Sequence, residues 1–222
     1  MDWMTQVDNY CERTDFSFWS EPLNAATNAA FILSALIVWA MLGGKSDRPA
    51  RLLTGILLII GIGSFLFHTY ATRWALALDV FPIQLFILAY LFFATTRFFA
   101  LPLWAGLAAV IAFFPFAYAV SAGVSALVGP LNGSVAYVPV PILIFGYAAA
   151  MAFRDTETAR GLAIGAGILV VSLVFRTMDE GVCGAVPFGT HFLWHVLNGV
   201  MLGWMIIVLH HHRAPEDRIA GA

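Results

Sequence analysis

The sequence contains little charge. Only 11% of its 222 residues are Asp, Glu, Lys or Arg, whereas 61% are hydrophobic. A soluble domain typically carries about 25% charged residues, so this composition excludes an ordinary soluble protein and is typical of an integral membrane protein. The 11 Lys and Arg residues and a formal net charge of -2 provide no basic surface for nucleic acid. We therefore expect no nucleic-acid partner.

The N-terminus lacks the pattern of a cleaved signal peptide. Its first residues, MDWMTQVDNYCERTD, are polar and contain neither a basic n-region nor an apolar h-region. We expect this segment to be retained.

Apolar runs long enough to cross a bilayer occur seven times. About 20 apolar residues span the ~30 Å hydrocarbon core. The predicted spans are residues 23–43, 52–71, 77–96, 101–121, 134–153, 160–179 and 189–210. The sequence thus predicts one all-α integral membrane domain over 1–222. It would have an outer N-terminal segment at 1–22, a seven-helix bundle at 23–210 and a cytoplasmic tail at 211–222.

Basic residues are distributed unevenly between the two ends of the predicted bundle. Only Arg13, Arg73 and Arg176 lie on the side of the N-terminus. The other side has Lys45, Arg48, Arg51, Arg97, Arg154, Arg160, Arg213 and Arg218. Because cytoplasmic loops carry an excess of Lys and Arg, the N-terminus is predicted outside and the C-terminus in the cytoplasm.

The sequence has only two cysteines. Cys11 precedes the first predicted span and Cys183 follows the sixth, so this topology places both outside, where disulfides can form. We predict that they pair. The alternative is two free thiols.

Three histidines lie at similar depth near the outer ends of two predicted spans. The stretch THFLWHVLNG places His191 and His195 four residues apart, on one helix face, and His68 lies near the outer end of the second span. Three imidazoles with an open fourth position are typical of a catalytic zinc site. Copper, iron and nickel also accept imidazole, but zinc suits a redox-neutral hydrolysis. The alternative is that each histidine forms only interhelical hydrogen bonds.

Two more polar residues accompany His68. Ser64 precedes it by four residues and faces the same way, and Asp79 follows it by eleven, at the outer start of the third span. Beside a metal-activated water, a carboxylate serves as general base and then as general acid in amide hydrolysis. A serine hydroxyl can stabilise the oxyanion. The alternative for Asp79 is a helix cap.

Arg176, Asp179 and Glu180 have i, i+3 and i, i+4 spacing at the outer end of the sixth span. This spacing predicts an ion pair at a helix end. A further role for Asp179 is to fix the loop that carries Cys183.

Together these residues resemble a known signature. SFLFH, followed eleven residues later by Asp79, and THFLWHVLNG resemble the Ser, His, Asp and H-x3-H pattern of the CREST superfamily of seven-helix membrane hydrolases. The stretch YCERTDFSFWSEPLN resembles the alkaline ceramidases in particular, including their bacterial relatives. The resemblance covers essentially the whole chain.

The resemblance implies an intramembrane zinc amidase that cleaves ceramide, a membrane lipid, to a fatty acid and a sphingoid base. It implies His68, His191 and His195 as zinc ligands, Asp79 as proton shuttle and Ser64 as a stabilising hydroxyl. Cys11 and Cys183 match the family's disulfide. We expect a multi-pass protein of a bacterial inner membrane, with its active site toward the periplasm.

The resemblance also implies a calcium site in the N-terminal segment. Glu12 and Glu21 match two carboxylate ligands. Further candidate ligands are Asn9, Tyr10, Thr14 and Asp15. The sequence departs from the animal enzymes here, because Asn9 and Tyr10 replace an Asp-Trp pair and Thr14 replaces an Asn. The alternative is a solvated acidic segment without calcium.

Two other functions fit the same residues. A zinc hydrolase could act on another N-acyl lipid or on an ester lipid. The progestin and adipoQ receptors share a similar pattern, but they have the opposite orientation, which the distribution of basic residues here disfavours.

Overall fold

The computed structural model describes residues 2–43 and 47–212, and its regular structure is helical. The helices are α1 (Pro22–Thr27), α2 (Ala29–Leu42), α3 (Arg48–Tyr70), α4 (Arg73–Phe98), α5 (Leu103–Val128), α6 (Pro139–Met151), α7 (Thr156–Val182) and α8 (His191–His211). A 3-10 helix, Leu131–Tyr137, precedes α6. Seven segments of the described chain are long and apolar enough to cross a membrane. The prediction of a seven-helix integral membrane protein is confirmed, and the orientation of its termini stays a prediction.

The predicted spans coincide with these helices and differ mainly in length. The first span consists of two helices, α1 and α2, which meet at Asn28. Helix α4 begins four residues earlier than predicted, so Asp79 lies in its second turn and does not cap it. Helix α5 extends to Val128, beyond the predicted end at 121. Hydropathy identifies the segment that crosses the apolar layer, whereas the helical turns continue past it.

Acidic residues cap two of the helices that begin at the end of the bundle opposite His68. Asp47 accepts a hydrogen bond from the backbone N–H of Ala50 at 3.2 Å, and Asp155 accepts one from Thr158 at 3.2 Å. Each cap satisfies a backbone donor that has no partner within the helix.

Helices α3 and α8 form the centre of the bundle. Their membrane-spanning parts are the most deeply buried, and α8 packs against α2, α3 and α7. Leu53, Ile60 and Ile206 are inaccessible to solvent within this core. By contrast, α5 lies at the periphery and is mostly exposed. The two central helices are also those that carry the three candidate histidine ligands.

The N-terminal segment, residues 2–21, folds across one end of the bundle. The backbone N–H of Val7 donates to the carbonyl of Ala71 at 2.8 Å, and that of Arg73 donates to the carbonyl of Thr5 at 3.0 Å. These bonds attach the segment to the turn between α3 and α4, next to His68.

At the opposite end, Asp47 joins three helices. Its carboxylate accepts hydrogen bonds from Arg97 of α4 at 2.9 Å and lies 2.8 Å from Nδ1 of His210 of α8. Burial acts to raise the pKa of Asp47, but hydrogen bonds from Arg97 and His210 lower it to about 2. Most of the predicted tail, 213–222, lies outside the described residues, as do Lys45, Arg213 and Arg218.

Candidate metal centre

The three candidate histidine ligands meet where α3 ends and α8 begins. The ring centroids of His68 and His191 are 5.3 Å apart, and that of His195 lies 4.6 Å from each of them. One ligand atom from each residue lies within 4.8 Å of the other two. All three side chains are buried. The predicted convergence is confirmed, and the cluster could hold a metal ion.

Ring nitrogens of this cluster are left without partners. Among the described residues, Nε2 of His68, Nε2 of His195 and Nδ1 of His191 are buried and accept or donate no hydrogen bond. Buried polar atoms are nearly always partnered, so three exceptions at one place indicate a ligand. Imidazole nitrogen is a preferred zinc ligand, and three of them leave a fourth coordination position open. The donor set therefore fits zinc.

The other ring nitrogens of two of these histidines are engaged. Nδ1 of His68 lies 2.6 Å from Oε2 of Glu21, and Nδ1 of His195 lies 3.0 Å from Oγ1 of Thr27. A metal-ligating histidine commonly donates its second ring N–H in this way, which fixes its tautomer and orientation. The Tyr10 ring stacks on His191, with centroids 3.6 Å apart. Contacts from the N-terminal segment and α1 thus hold all three rings.

Glu12 and Glu21 are buried beside the centre, and N–H groups surround their carboxylates. Glu12 accepts from the backbone N–H groups of Leu23 and Asn24, both at 2.7 Å. Burial raises the pKa of Glu12, although these two hydrogen bonds oppose the shift. Burial acts to raise the pKa of Glu21 as well, but His68, Arg13 and Asn24 lower it below its ordinary value.

The other candidate calcium ligands do not gather around these carboxylates. Asn9, Thr14 and Asp15 are exposed, and the Asp15 carboxylate accepts a hydrogen bond from the N–H of Ser17 at 2.8 Å. Tyr10 packs against His191. Calcium takes six to eight oxygen ligands, and the described side chains do not fit such a site. Calcium binding stays a prediction.

Ser64 and Asp79 come together where α3 and α4 pack closely. Both are buried, and the Ser64 hydroxyl lies near enough to the Asp79 carboxylate to stabilise its charge. Gly63 makes this approach possible, since a Cβ atom there would collide with the carbonyl of Leu78 and lie 3.4 Å from the backbone N of Asp79. The sequence placed Ser64 and Asp79 at one depth, and the structure brings them together one turn from His68.

The predicted disulfide is confirmed. Cys11 and Cys183 are bonded, with their Cα atoms 5.4 Å apart, across 172 residues of sequence. The bond joins the N-terminal segment to the end of α7. It therefore anchors the segment that contacts His68 and His191.

Asp179 has a larger role than its spacing predicted. Its carboxylate accepts hydrogen bonds from the backbone N–H groups of Cys11, Thr190 and His191, at 3.0, 2.7 and 2.8 Å. It thereby joins the N-terminal segment to the start of α8. Gly189, with φ +61°, allows the turn to approach, because a Cβ there would collide with this carboxylate.

The predicted ion pair between Arg176 and the acidic residues of α7 is wrong. Arg176 donates to the carbonyl of Asn132 at 2.7 Å and to Oγ of Ser134 at 2.9 Å, and it lies over the rings of Tyr137 and Trp194. The backbone N–H groups at the start of α8 occupy Asp179 instead. The spacing of residues along α7 predicts only contacts within that helix. It does not predict contacts with other segments.

An apolar cavity lies inside the bundle beside the centre. Its lining includes Phe31, Ile60, Phe86, Trp194, Leu202 and Met205. The Phe31 ring is 6.2 Å from that of His195, so the cavity adjoins the histidines. These lining residues could not be predicted from the sequence, because their side chains are of the same type as those that fill the core.

Comparison with curated proteins finds no match. The family model described as Ceramidase matches residues 5–220, nearly the whole chain. The matched region contains every helix of the described residues, the histidine cluster, Ser64, Asp79 and the disulfide. Membership supports hydrolysis of the amide bond of ceramide. The chain belongs to the ceramidase family.

Proposed function

We propose that this protein is an intramembrane zinc amidohydrolase that cleaves the N-acyl amide of ceramide to a fatty acid and a sphingoid base. The observation that carries the proposal is the cluster of His68, His191 and His195, with its unpartnered ring nitrogens. These three residues would hold the ion. Zinc, when bound, supplies Lewis-acid polarisation of the amide carbonyl and acidification of water.

Asp79 moves the proton. It accepts a proton from the attacking water while the C–O bond forms, and it delivers that proton to the amine nitrogen as the C–N bond breaks. The products are the free acid and the amine. Asp79 lies buried next to α3, where Gly63 lets the two helices approach closely.

Ser64 supports this step from α3. Its hydroxyl lies near the Asp79 carboxylate and would donate a hydrogen bond to the oxyanion when the carbonyl becomes tetrahedral. Ser64 is a polar residue on the buried face that carries His68 one turn later.

The apolar cavity, of about 80 Å³, would hold part of a lipid chain. Its lining is hydrophobic and lies beside His195, so a chain within it would place an adjoining amide near the metal ligands. Such a cavity favours a long-chain acyl lipid over a soluble amide. The substrate enters laterally from the outer leaflet, and the site faces the periplasm of a bacterial inner membrane.

The proposal is tested on the purified full-length protein. Zinc content is measured by elemental analysis, and products formed from a labelled ceramide, a matched ester lipid and another N-acyl lipid are measured by mass spectrometry. We expect one zinc per chain and release of fatty acid and sphingoid base from the ceramide. Preferred cleavage of the ester or of the other N-acyl lipid would contradict the assigned substrate.

The matched variants are His195→Ala and His211→Ala. His195 belongs to the cluster, whereas His211 is exposed at the opposite end of α8. His195→Ala should lose zinc and turnover together, and His211→Ala should retain both. Retention of zinc by His195→Ala would contradict the ligand assignment.

A further inference from the structure

We propose that the guanidinium of Arg13 serves as a built-in cation in the N-terminal segment, holding Glu21 against His68, so that this segment works without calcium. The proposal uses the metal centre proposed above in one respect, since it treats His68 as a ligand. Arg13 itself touches no substrate and acts as a positioning residue.

The Arg13 guanidinium gathers oxygens from three parts of the chain. Its Nε donates to Oε1 of Glu21 at 2.5 Å, one terminal nitrogen donates to the carbonyl of Asp15 at 3.1 Å, and the other donates to the carbonyl of His68 at 3.0 Å. The Arg13 side chain is only 1% exposed. A carboxylate and two carbonyls are the oxygen types that calcium prefers. Here a rigid fork of N–H donors binds them instead.

N–H donors already bind every oxygen of the nearby carboxylates. Glu12 and Glu21 have four carboxylate oxygens, and each of these accepts a hydrogen bond from an N–H donor. A calcium ion would have to share these oxygens with the N–H donors already bound to them. An ion at this place would also lie beside the positive charge of Arg13, which repels it.

This arrangement links the N-terminal segment to the metal ligand at two points. Arg13 binds the backbone carbonyl of His68, and through Glu21 it reaches the His68 ring, whose Nδ1 lies 2.6 Å from that carboxylate. Loss of the guanidinium would leave Glu21 buried without its cation. The Glu21 carboxylate would then shift, and the His68 ring would lose its fixed orientation. Partners that orient a metal ligand typically change metal affinity by about 10–100-fold.

The first experiment uses the wild-type protein and needs no variant. Calcium is removed with a selective chelator, and the protein is then titrated with calcium by calorimetry and melted with and without the ion. We expect no binding heat and no change in Tm. One calcium bound per chain together with an increase in Tm would overturn the proposal.

The second experiment compares Arg13→Ala with Arg73→Ala. Arg73 lies on the same end of the bundle, but its side chain is exposed. Zinc affinity is measured by chelator competition, with and without added guanidinium ion below denaturing concentrations. We expect Arg13→Ala to bind zinc about 10–100-fold more weakly and guanidinium to restore part of that loss. Arg73→Ala should match the wild type.

Unchanged zinc affinity in Arg13→Ala, or an equal loss in Arg73→Ala, would overturn the proposal. If Arg13→Ala does not fold, the calcium titration of the wild type still decides the question. Failure of the proposed function gives a different result, namely a wild-type protein that lacks zinc or does not cleave ceramide. The calcium readout is independent of turnover, so the two failures are distinguishable.

Discussion

Oε2 of Glu21 lies 2.6 Å from Nδ1 of His68, and both side chains are buried. This contact joins the N-terminal segment to a candidate metal ligand on α3. The orientation of the His68 ring therefore depends on a residue that precedes the first membrane-spanning helix. The candidate metal centre is built jointly by the bundle and by the segment that covers its end.

Glu21→Gln should weaken zinc binding by about 10–100-fold, since the neutral amide is a poorer partner for the His68 ring and leaves Arg13 without its carboxylate. Chelator competition on the purified protein measures the change. Glu180→Gln is the control, because Glu180 is an exposed carboxylate on the same end of the bundle. Equal zinc affinities for Glu21→Gln and wild type would show that the contact does not orient the ligand.

Breaking the disulfide should destabilise the protein. Removal of a native disulfide typically costs about 2–5 kcal/mol, and the Cys11–Cys183 bond closes a long stretch of chain. We expect reductant to lower the Tm of the wild type. The double variant Cys11→Ser, Cys183→Ser should melt at the lower temperature with or without reductant. A wild-type Tm that does not respond to complete reduction would contradict this role.

Gly63→Ala should separate α3 from α4, because the added Cβ collides with the Leu78 carbonyl. Overpacking of this kind typically costs about 1–3 kcal/mol, and it would also move Asp79 away from Ser64. Gly55→Ala on the same helix is the control, since nothing lies within 4 Å of its added Cβ. Tm and turnover should fall in Gly63→Ala alone. Similar values for the two variants would disprove the close approach.

The contacts of Asp47 with Arg97 and His210 should make the stability of the protein decrease at acid pH. The folded-state pKa of Asp47 is about 2, below its usual 3.8, so its contribution is complete above about pH 4 and is lost as the pH falls toward 2. Wild type and Asp47→Asn should therefore differ in Tm at neutral pH, and the difference should shrink through this range. A difference that stays constant down to pH 2 would argue against the contacts with Arg97 and His210.

The sequence was sufficient to predict the spans, the disulfide and the histidine cluster. Each follows from a property that can be read along the chain. The spans follow from the length of the apolar runs, the disulfide from the side of the membrane on which the cysteines lie, and the cluster from the depth of each histidine within its span. Asp79 illustrates the limit, because hydropathy placed it at the start of a helix that in fact begins at Arg73. The predicted start of the span lies too late in the sequence because the first turn of α4, which begins with Arg73, adds little to the hydropathy of the apolar run.

Contacts between distant segments could not be predicted in this way. The partners of Asp179 lie on the N-terminal segment and at the start of α8, and Arg176 contacts the 3-10 helix before α6. Such pairs depend on how the helices pack, which the periodicity of one helix does not encode. An acidic residue near the end of an apolar helix was the available signal for Asp179, since a carboxylate that becomes buried there requires hydrogen-bond partners.

The most direct test of the account is Asp79→Asn, measured for zinc content and ceramide turnover in the same preparation. Asparagine keeps the size of the side chain but cannot accept and return the proton, so turnover should fall by at least about 100-fold. Zinc should remain at one per chain, and Asp8→Asn, at an exposed position on the N-terminal segment, should behave as wild type. Wild-type turnover in Asp79→Asn would contradict the proposed mechanism.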